Sequence, residues 1–253
     1  MAIIHDSPVT NTLRKLKYQE LHEQVLLMSS ILKHTYKLVK GDRVVIYMPN
    51  TPEAVISMLS CARLGVVHSV VFGGFASAEL ATRLSDCQPK LIITTSCGID
   101  GSKVLDYKAL VDEAIQIACD RNSAMAVPQC LVCQREMRPT TSIIAGRDRE
   151  WHVEMSRKAE LPNIPCEPLN STYPLYILYT SGTTGQPKVN IFRLSVRSVA
   201  LLSFRCQGVV RDNGGHAVAL RWSMENIYGM NASDVFWAAR FIVLPPPERA
   251  RSS

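Results

Sequence analysis

The sequence predicts an α/β fold: a doubly wound, mostly parallel sheet with helices on both faces. Short apolar runs recur along the first two thirds of the chain, separated by segments with the three- and four-residue apolar spacing of amphipathic helices. The runs are almost continuously apolar rather than alternating, which is typical of strands buried on both faces. At 253 residues and 47% hydrophobic, the chain can bury one substantial core.

The predicted elements alternate in order along the chain. A first amphipathic helix occupies residues 18–37 and ends before Gly41. A second begins with Thr51 as its cap and Pro52 at its first position, and Gly65 closes it. The other predicted helices are SAELATRLSDC and DYKALVDEAIQIAC, and the predicted strands are DRVVIYM, VVHSVVF, KLIITT, QCLVCQ and LYILYT.

Between Arg135 and Tyr173 the pattern weakens, and four prolines are spread through polar sequence. These features predict a long surface connection with one short helix around residues 151–159, anchored on the core by Trp151. The single Cys-x-x-Cys pattern, at 130–133, has no second pair and lies in an apolar run. Ordinary strand cysteines are therefore favoured there over a redox or zinc role.

The net charge of +6 is concentrated in two segments. Residues 189–207 contribute +3 and residues 240–253 contribute +2, which leaves +1 for the rest of the chain. This distribution argues against nucleic acid or a membrane surface as partner. We find no apolar run of 18 residues and no secretory signal pattern, and the eight cysteines form no disulfide framework. We expect an intracellular protein of the mitochondrial matrix or cytosol.

The segment LYILYTSGTTGQPK, residues 175–188, is the most chemically specific part of the sequence. A buried strand leads into six small residues that can turn backbone N–H groups and hydroxyls toward an anion, and a lysine adds a point charge. The segment is not a Walker A loop, because its lysine does not directly follow glycine. Such a loop lets a polyphosphate approach closely, and a generic turn rich in Ser, Thr and Gly is the alternative.

The string YTSGTTGQPK resembles the phosphate-binding signature of AMP-forming acyl-CoA synthetases, which are adenylate-forming enzymes. The segments GDRVVIYMPNTPEAVISMLSCARLGVVHSVVFGGFASAELATRLSDCQPKLIIT and GGHAVALRWSMENIYGMNASDVFWAA resemble the short-chain branch, the acetyl- and propionyl-CoA synthetases. The resemblance covers residues 2–188 and 208–239. The segment TTSCGIDGSKVLDYKALVDEA is somewhat closer to the propionyl type.

The resemblance implies a two-step ligation that uses ATP, Mg²⁺ and CoA. It also implies contacts with the ATP phosphates for the loop residues Thr180, Ser181, Gly182, Thr183, Thr184, Gly185 and Lys188. A small carboxylate attacks the α-phosphate of ATP, pyrophosphate leaves, and the thiol of CoA captures the acyl-adenylate. Acetyl-type members have basic residues near Gly101 that meet the CoA phosphate. Because this chain has Asp100 and Lys103 there, we assign no CoA contact. The family's carboxylate pocket, adenine site and catalytic lysine have no counterpart in these 253 residues, so we assign no catalytic residue.

The family pattern is interrupted after Lys188. Nineteen residues, 189–207, precede the point at which GVVR resumes at Gly208, and residues 240–253 leave the pattern again. We interpret residues 1–188 and 208–239 as a partial AMP-binding domain, 189–207 as an insertion and 240–253 as an aberrant C-terminal tail. Val-Asn and Gln can be encoded as a splice donor and acceptor, so a translated intron is the favoured origin. A genuine insertion that binds a partner is the alternative.

Three functional hypotheses follow. The chain is an inactive part of a short-chain acyl-CoA synthetase, a non-catalytic nucleotide-binding or interaction protein, or a mispredicted gene product that does not fold. Measurable ATP affinity without pyrophosphate exchange favours the second. Detection of only a longer, correctly spliced transcript favours the third. We also predict that residues 189–207 and 240–253 are irregular or poorly packed.

Overall fold

The structure, a computed structural model, describes residues 1–7, 10–100, 103–139, 142–158, 160–179 and 208–237. The strands are β1 Ile3–Ser7, β2 Thr12–Leu16, β3 Arg43–Met48, β4 Val67–Phe72, β5 Leu91–Thr95, β6 Cys97–Asp100, β7 Lys103–Asp106, β8 Gln129–Cys133, β9 Asp148–Glu150, β10 Pro174–Leu178 and β11 Val209–Asp212. The helices are α1 Tyr18–His34, α2 Pro52–Leu64, α3 Ser77–Cys87, α4 Tyr107–Arg121, α5 Trp151–Ser156 and α6 Asn213–Asn226.

Seven of the described strands form the central sheet, in the order β11-β10-β4-β3-β5-β8-β9. Every neighbouring pair is parallel except β10–β11, which is antiparallel. Strand β4 lies on one side of β3 and β5 on the other, so the strand order reverses at β3. This arrangement confirms the predicted α/β, doubly wound, mostly parallel fold. Two separate hairpins, β1–β2 and β6–β7, complete the described strands.

Helices cover both faces of the sheet, and the alternation of side chains along β3 shows how. Val44 and Ile46 belong to a core cluster shared with α1 and α2. Val45 and Tyr47 belong to a second cluster shared with α3 and α4. All four side chains have no exposed surface. Burial on both faces explains why the strand is continuously apolar.

Local signals determine where the helices begin and end. Helix α2 begins at Pro52 and is closed by Gly65 at φ 66°, in the left-handed region, as predicted from the sequence. The predicted bounds of α3 also agree with the structure, residues 77–87. Helix α1 is shorter than predicted and ends at His34. Among the described helices, none is both long and apolar enough for a bilayer crossing.

Six of the described strands were not predicted individually. The connection from Arg135 to Tyr173 contains the short strand β9 beside β8, so it adds to the sheet instead of only running over the surface. Trp151 at the start of α5 is buried in the α1–α2 cluster, as predicted. The hairpins β1–β2 and β6–β7 account for most of the other unpredicted strands, because their sequences lack continuous apolar runs.

Helix α6 differs from the other long helices, because none of its residues is buried. Val218 is 69% exposed and Trp222 58% exposed, four residues apart on one side of the helix. The chain continues to Trp237, whose side chain is 83% exposed. The two segments for which we predict irregular structure, 189–207 and 240–253, lie outside the described residues, so that expectation stays a prediction.

Candidate nucleotide-binding site

Strand β10 leads directly to the predicted phosphate loop. It lies parallel to β4, with Tyr176 beside His68, and Tyr179 follows its last residue. The predicted contacts, Thr180 to Gly185 and Lys188, come next and lie outside the described residues. Their roles therefore remain predictions. The described structure contains the residues that support both ends of this segment.

The two ends of residues 180–207 lie next to each other. Leu178 at the end of β10 pairs with Val209 at the start of β11. The Tyr179 hydroxyl donates a hydrogen bond of 2.6 Å to Oδ2 of Asp86. The backbone N–H of Gly208 donates to the same carboxylate. We call these contacts of Asp86, Tyr179 and Gly208 the loop anchor.

Gly208 occupies a position that has no room for a side chain. A Cβ atom there would lie 2.1 Å from Cγ2 of Ile177 and 3.1 Å from Cε1 of Tyr179. Distances below 3.0 Å require the neighbouring atoms to move. The glycine at which the family pattern resumes is therefore the residue that lets β11 approach β10 closely.

Arg83 packs between aromatic rings next to the loop anchor. Its guanidinium lies 4.2 Å from the centroid of the Phe75 ring and 5.7 Å from that of Tyr179. Its Nη1 donates a hydrogen bond of 2.7 Å to the backbone carbonyl of Glu79, one turn earlier in α3. Arg83 is buried. These contacts hold the Arg83 guanidinium in place next to the Tyr179 ring.

The electrostatics of Asp86 are unusual for a carboxyl group that accepts two hydrogen bonds. Burial raises the pKa of Asp86 above its ordinary value, while the hydrogen bonds from Tyr179 and Gly208 and the charge of Arg43 oppose this rise. Asp86 also stands in the last turn of α3, which contains no basic residue. A negative charge at the C-terminal end of a helix is unfavourable. Both effects disfavour a carboxylate at this position.

A second group of close contacts lies where β4 and β5 end. The Tyr47 hydroxyl donates to the carbonyls of Gly73, at 3.2 Å, and Phe75, at 2.7 Å. A Cβ atom on Gly73 or Gly98 would lie 2.2 Å and 2.1 Å, respectively, from atoms of the Tyr107 side chain. Burial raises the pKa of Tyr107 to about 12, so the ring stays neutral. The turn after β4, which leads to Phe75 and Arg83, is therefore held by two tyrosines.

The Cys-x-x-Cys pattern has no shared site. Cys130 and Cys133 both lie in β8, but Cys130 belongs to the α3–α4 cluster and Cys133 to the α1–α2 cluster. The two thiols are thus on opposite faces of the sheet. Burial raises the pKa of each to about 12. Among the described residues, no group of three or more His, Cys, Asp or Glu side chains could hold a metal ion.

Sequence reasoning predicts the phosphate loop, which lies outside the described residues, but it missed the residues next to the two ends of that segment. Arg83 and Asp86 are three residues apart in the helix that the sequence predicts, so they share a helix face. That spacing could have marked them as a pair. Their proximity to Tyr179 and Gly208 depends on the sheet order, which places β10 beside β4.

Comparison with known proteins agrees with the family resemblance. The family model "AMP-binding enzyme" matches residues 2–244. An uncharacterized protein of Pseudomonas aeruginosa is 45% identical over 236 residues, 93% of this chain and 33% of that protein. Human acyl-CoA synthetase short-chain family member 3, mitochondrial, is 43% identical over 240 residues, 94% of this chain and 31% of that protein. The acetyl-coenzyme A synthetase of Rhizobium rhizogenes is 40% identical over 237 residues, 94% of this chain and 32% of that protein.

A solved structure gives the same result for the fold. The acetoacetyl-CoA synthetase from Streptomyces lividans superposes with a TM-score of 0.65 at 22% identity, over 85% of this chain and 28% of that one. The fold and its strand order define a doubly wound α/β domain, the class that binds its ligands beyond the carboxyl ends of the strands. The chain belongs to the AMP-binding enzyme family, whose members are adenylate-forming ligases. It spans about a third of the length of the curated relatives that it matches.

Proposed function

We propose that this chain carries the ATP-phosphate-binding part of an AMP-forming ligase that joins a short-chain carboxylate, acetate or propionate, to CoA. The observation that carries the proposal is the string YTSGTTGQPK, which follows the partly buried strand β10 of the central sheet in a member of the AMP-binding family. The names of the relatives support the substrate class, because they include short-chain acyl-CoA synthetases and an acetyl-CoA synthetase.

In this proposal the phosphate loop acts by electrostatic stabilisation. Backbone amides and hydroxyls of Thr180, Ser181, Gly182, Thr183, Thr184 and Gly185 donate to the phosphate oxygens. Lys188 neutralises charge as pyrophosphate leaves from the α-phosphate under attack by the carboxylate. Mg²⁺, bound to the phosphates, adds positive charge to the same oxygens. The thiol of CoA then attacks the acyl-adenylate and AMP leaves.

We further propose the domain organisation that the family pattern indicates. Residues 1–188 and 208–239 are part of an AMP-binding domain, residues 189–207 are an insertion of intronic origin, and residues 240–253 are an aberrant tail. The compartment that we propose is the mitochondrial matrix or the cytosol, and several relatives are named mitochondrial. Genomic bases other than GT and AG at the borders of 189–207 would contradict the intronic origin.

Titration with Mg-ATP tests the binding part of the proposal. A Lys188→Gln variant should raise the Kd for ATP about tenfold or more, because a charge-assisted contact contributes about 1.5–3 kcal/mol. Lys90→Gln is the matched control. Lys90 is exposed next to the first residue of β5, where it pairs with Asp42 at 2.7 Å, and we expect an unchanged Kd. Equal effects of the two substitutions would contradict a specific phosphate contact.

Pyrophosphate exchange tests the catalytic part. We expect no acetate- or propionate-dependent exchange above background from the 253 residues alone, because catalysis needs the carboxylate and ATP held together in reacting geometry. Exchange should appear when residues 189–207 are deleted and the remaining regions of a related synthetase are supplied. If that longer polypeptide binds ATP but remains inactive, a non-catalytic nucleotide-binding protein is the better description. Exchange by the 253 residues at about 1 per second or faster would overturn the proposal.

A further inference from the structure

The carboxylate of Asp86 joins two points that are distant in sequence. It accepts hydrogen bonds from the Tyr179 hydroxyl and from the Gly208 backbone N–H. Tyr179 is the residue immediately before the predicted phosphate loop, and Gly208 is the residue at which the family pattern resumes. One side chain of α3 thus holds both ends of residues 180–207.

The position of Asp86 is unfavourable for a carboxylate that has no specific role. Asp86 is an exposed residue, but neighbouring atoms remove enough of its solvation to raise its pKa, and the C-terminal end of α3 repels negative charge. Nearby Arg43 lowers the pKa of Asp86 by its charge, but its guanidinium donates to the carbonyls of Cys87 and Gln88. The contacts that a carboxylate makes here, and that an apolar side chain could not make, are those with Tyr179 and Gly208.

Neighbouring residues support the contact between Asp86 and Tyr179. The Tyr179 ring is buried next to the guanidinium of Arg83, which itself is packed on Phe75. The backbone pairing of Leu178 with Val209 holds the same two chain segments together. The direction in which the chain leaves β10 is therefore determined by side chains of α3 as well as by the sheet.

We propose that Asp86 is a positioning residue for the phosphate loop: through Tyr179 and Gly208 it fixes the two points from which residues 180–207 leave and rejoin the sheet. The inference rests on the proposed function, because it assumes that this loop binds ATP phosphates. Asp86 itself touches no substrate in this proposal. It acts by keeping the loop in a geometry that binds ATP without a further ordering cost.

Four variants of the full chain test the inference. Asp86→Ala removes the acceptor, Tyr179→Phe removes one donor, and the double variant removes both. Asp86→Asn keeps an acceptor oxygen but not the charge. Glu79→Gln, on the exposed side of the same helix, is the matched control for an acid-to-amide change. Mg-ATP affinity and hydrogen exchange of the backbone amides from 208 to 212 are measured for each variant.

We expect Asp86→Ala and Tyr179→Phe each to weaken Mg-ATP binding about tenfold and the double variant to be no weaker than Asp86→Ala, because the two residues act through one link. The Gly208 amide should exchange at least tenfold faster in Asp86→Ala. Asp86→Asn should bind within about threefold of the unsubstituted chain. Rescue of Mg-ATP affinity by this amide, which keeps one acceptor oxygen for the Tyr179 hydroxyl, is a readout that a purely structural role for Asp86 would not give.

Two outcomes separate this inference from the proposed function. If the unsubstituted chain binds no Mg-ATP, the proposed function is wrong and the positioning role falls with it. If Mg-ATP binding is intact and Asp86→Ala speeds exchange at Gly208 without weakening binding, the proposed function stands and this inference is overturned. An equal loss of affinity in Glu79→Gln would also overturn it.

Discussion

His68 shows how a single buried residue can make this fold sensitive to acid. It lies on β4 beside Tyr176, with the two ring centroids 5.9 Å apart. Its Nδ1 atom is buried and has no hydrogen-bond partner among the residues that the structure describes. Burial, followed by the charge of nearby His216, lowers the pKa of His68 to about 4. The imidazole is therefore neutral in the folded protein at pH 7.

The lowered pKa of His68 predicts a loss of stability in a defined pH window. Between pH 6.5 and about 4 the unfolded chain takes up a proton that folded His68 does not, so the free energy of unfolding falls as the pH falls. At about 1.4 kcal/mol per pKa unit, the loss is about 3 kcal/mol. Urea unfolding at a series of pH values measures it. His68→Phe should remove this part of the acid sensitivity, whereas His22→Phe, on the exposed side of α1, should keep it.

A cluster of buried charges joins two elements that are not neighbours in the sequence. Lys108 on α4 has no exposed surface, and its Nζ lies 2.6 Å from Oδ2 of Asp112 and 2.9 Å from Oδ2 of Asp148. Asp148 begins β9, and Arg147 contacts both carboxylates. The cluster thus holds the part of the long connection that contains the edge strand β9 against α4.

Removal of one charge from this cluster should strongly lower the free energy of unfolding. Lys108→Met takes away the buried cation between Asp112 and Asp148 and should lower the free energy of unfolding by about 3 kcal/mol, because a buried charge without its partner is strongly destabilising. Urea unfolding measures the change. Arg221→Met is the matched control, since Arg221 pairs with Glu225 on the exposed surface of α6 at 3.1 Å and should matter by less than about 0.5 kcal/mol. A loss below 1 kcal/mol for Lys108→Met would mean that Arg147 alone satisfies both carboxylates.

At the scale of the whole molecule, the loop anchor determines what an insertion costs. Residues 180–207 leave and rejoin the sheet beside Asp86, and the entropy of closing this loop depends on its length. Gly208 keeps its place next to Tyr179 even though residues 189–207 separate it from Lys188 in the sequence. If residues 189–207 are the insertion that we propose, their cost is the entropy of a longer connection between Tyr179 and Gly208.

Deletion of residues 189–207 should therefore stabilise the chain modestly. The loop between Tyr179 and Gly208 becomes about threefold shorter, which corresponds to about 1 kcal/mol of closure free energy. Urea unfolding should show this gain, and the Kd for Mg-ATP should fall in parallel. Deletion of residues 240–253 is the control. It leaves the connection between Tyr179 and Gly208 at the same length, so loop closure should change neither the free energy of unfolding nor the Kd for Mg-ATP. A lower stability after the internal deletion would show that residues 189–207 form favourable contacts.

The sequence by itself determined which segments form the layers of the fold. The Pro52 start and the Gly65 end of α2 were predictable because they depend on backbone conformations that these residues favour locally. The strands β3, β4 and β5 were predictable because burial on both faces favours apolar side chains at most positions. The family was predictable from the complete string YTSGTTGQPK, whereas the phosphate contacts of that segment stay a prediction.

The tertiary structure decided how these segments support one another. The antiparallel strand β11, the edge strand β9 and the meeting of Asp86 with Tyr179 and Gly208 join residues that are distant along the chain. No local preference encodes such pairs, because a carboxylate in the last turn of a helix looks the same in the sequence whether it faces solvent or a buried tyrosine. Strand order and close packing bring the partners together, so only the folded chain shows which residues hold the ends of the loop.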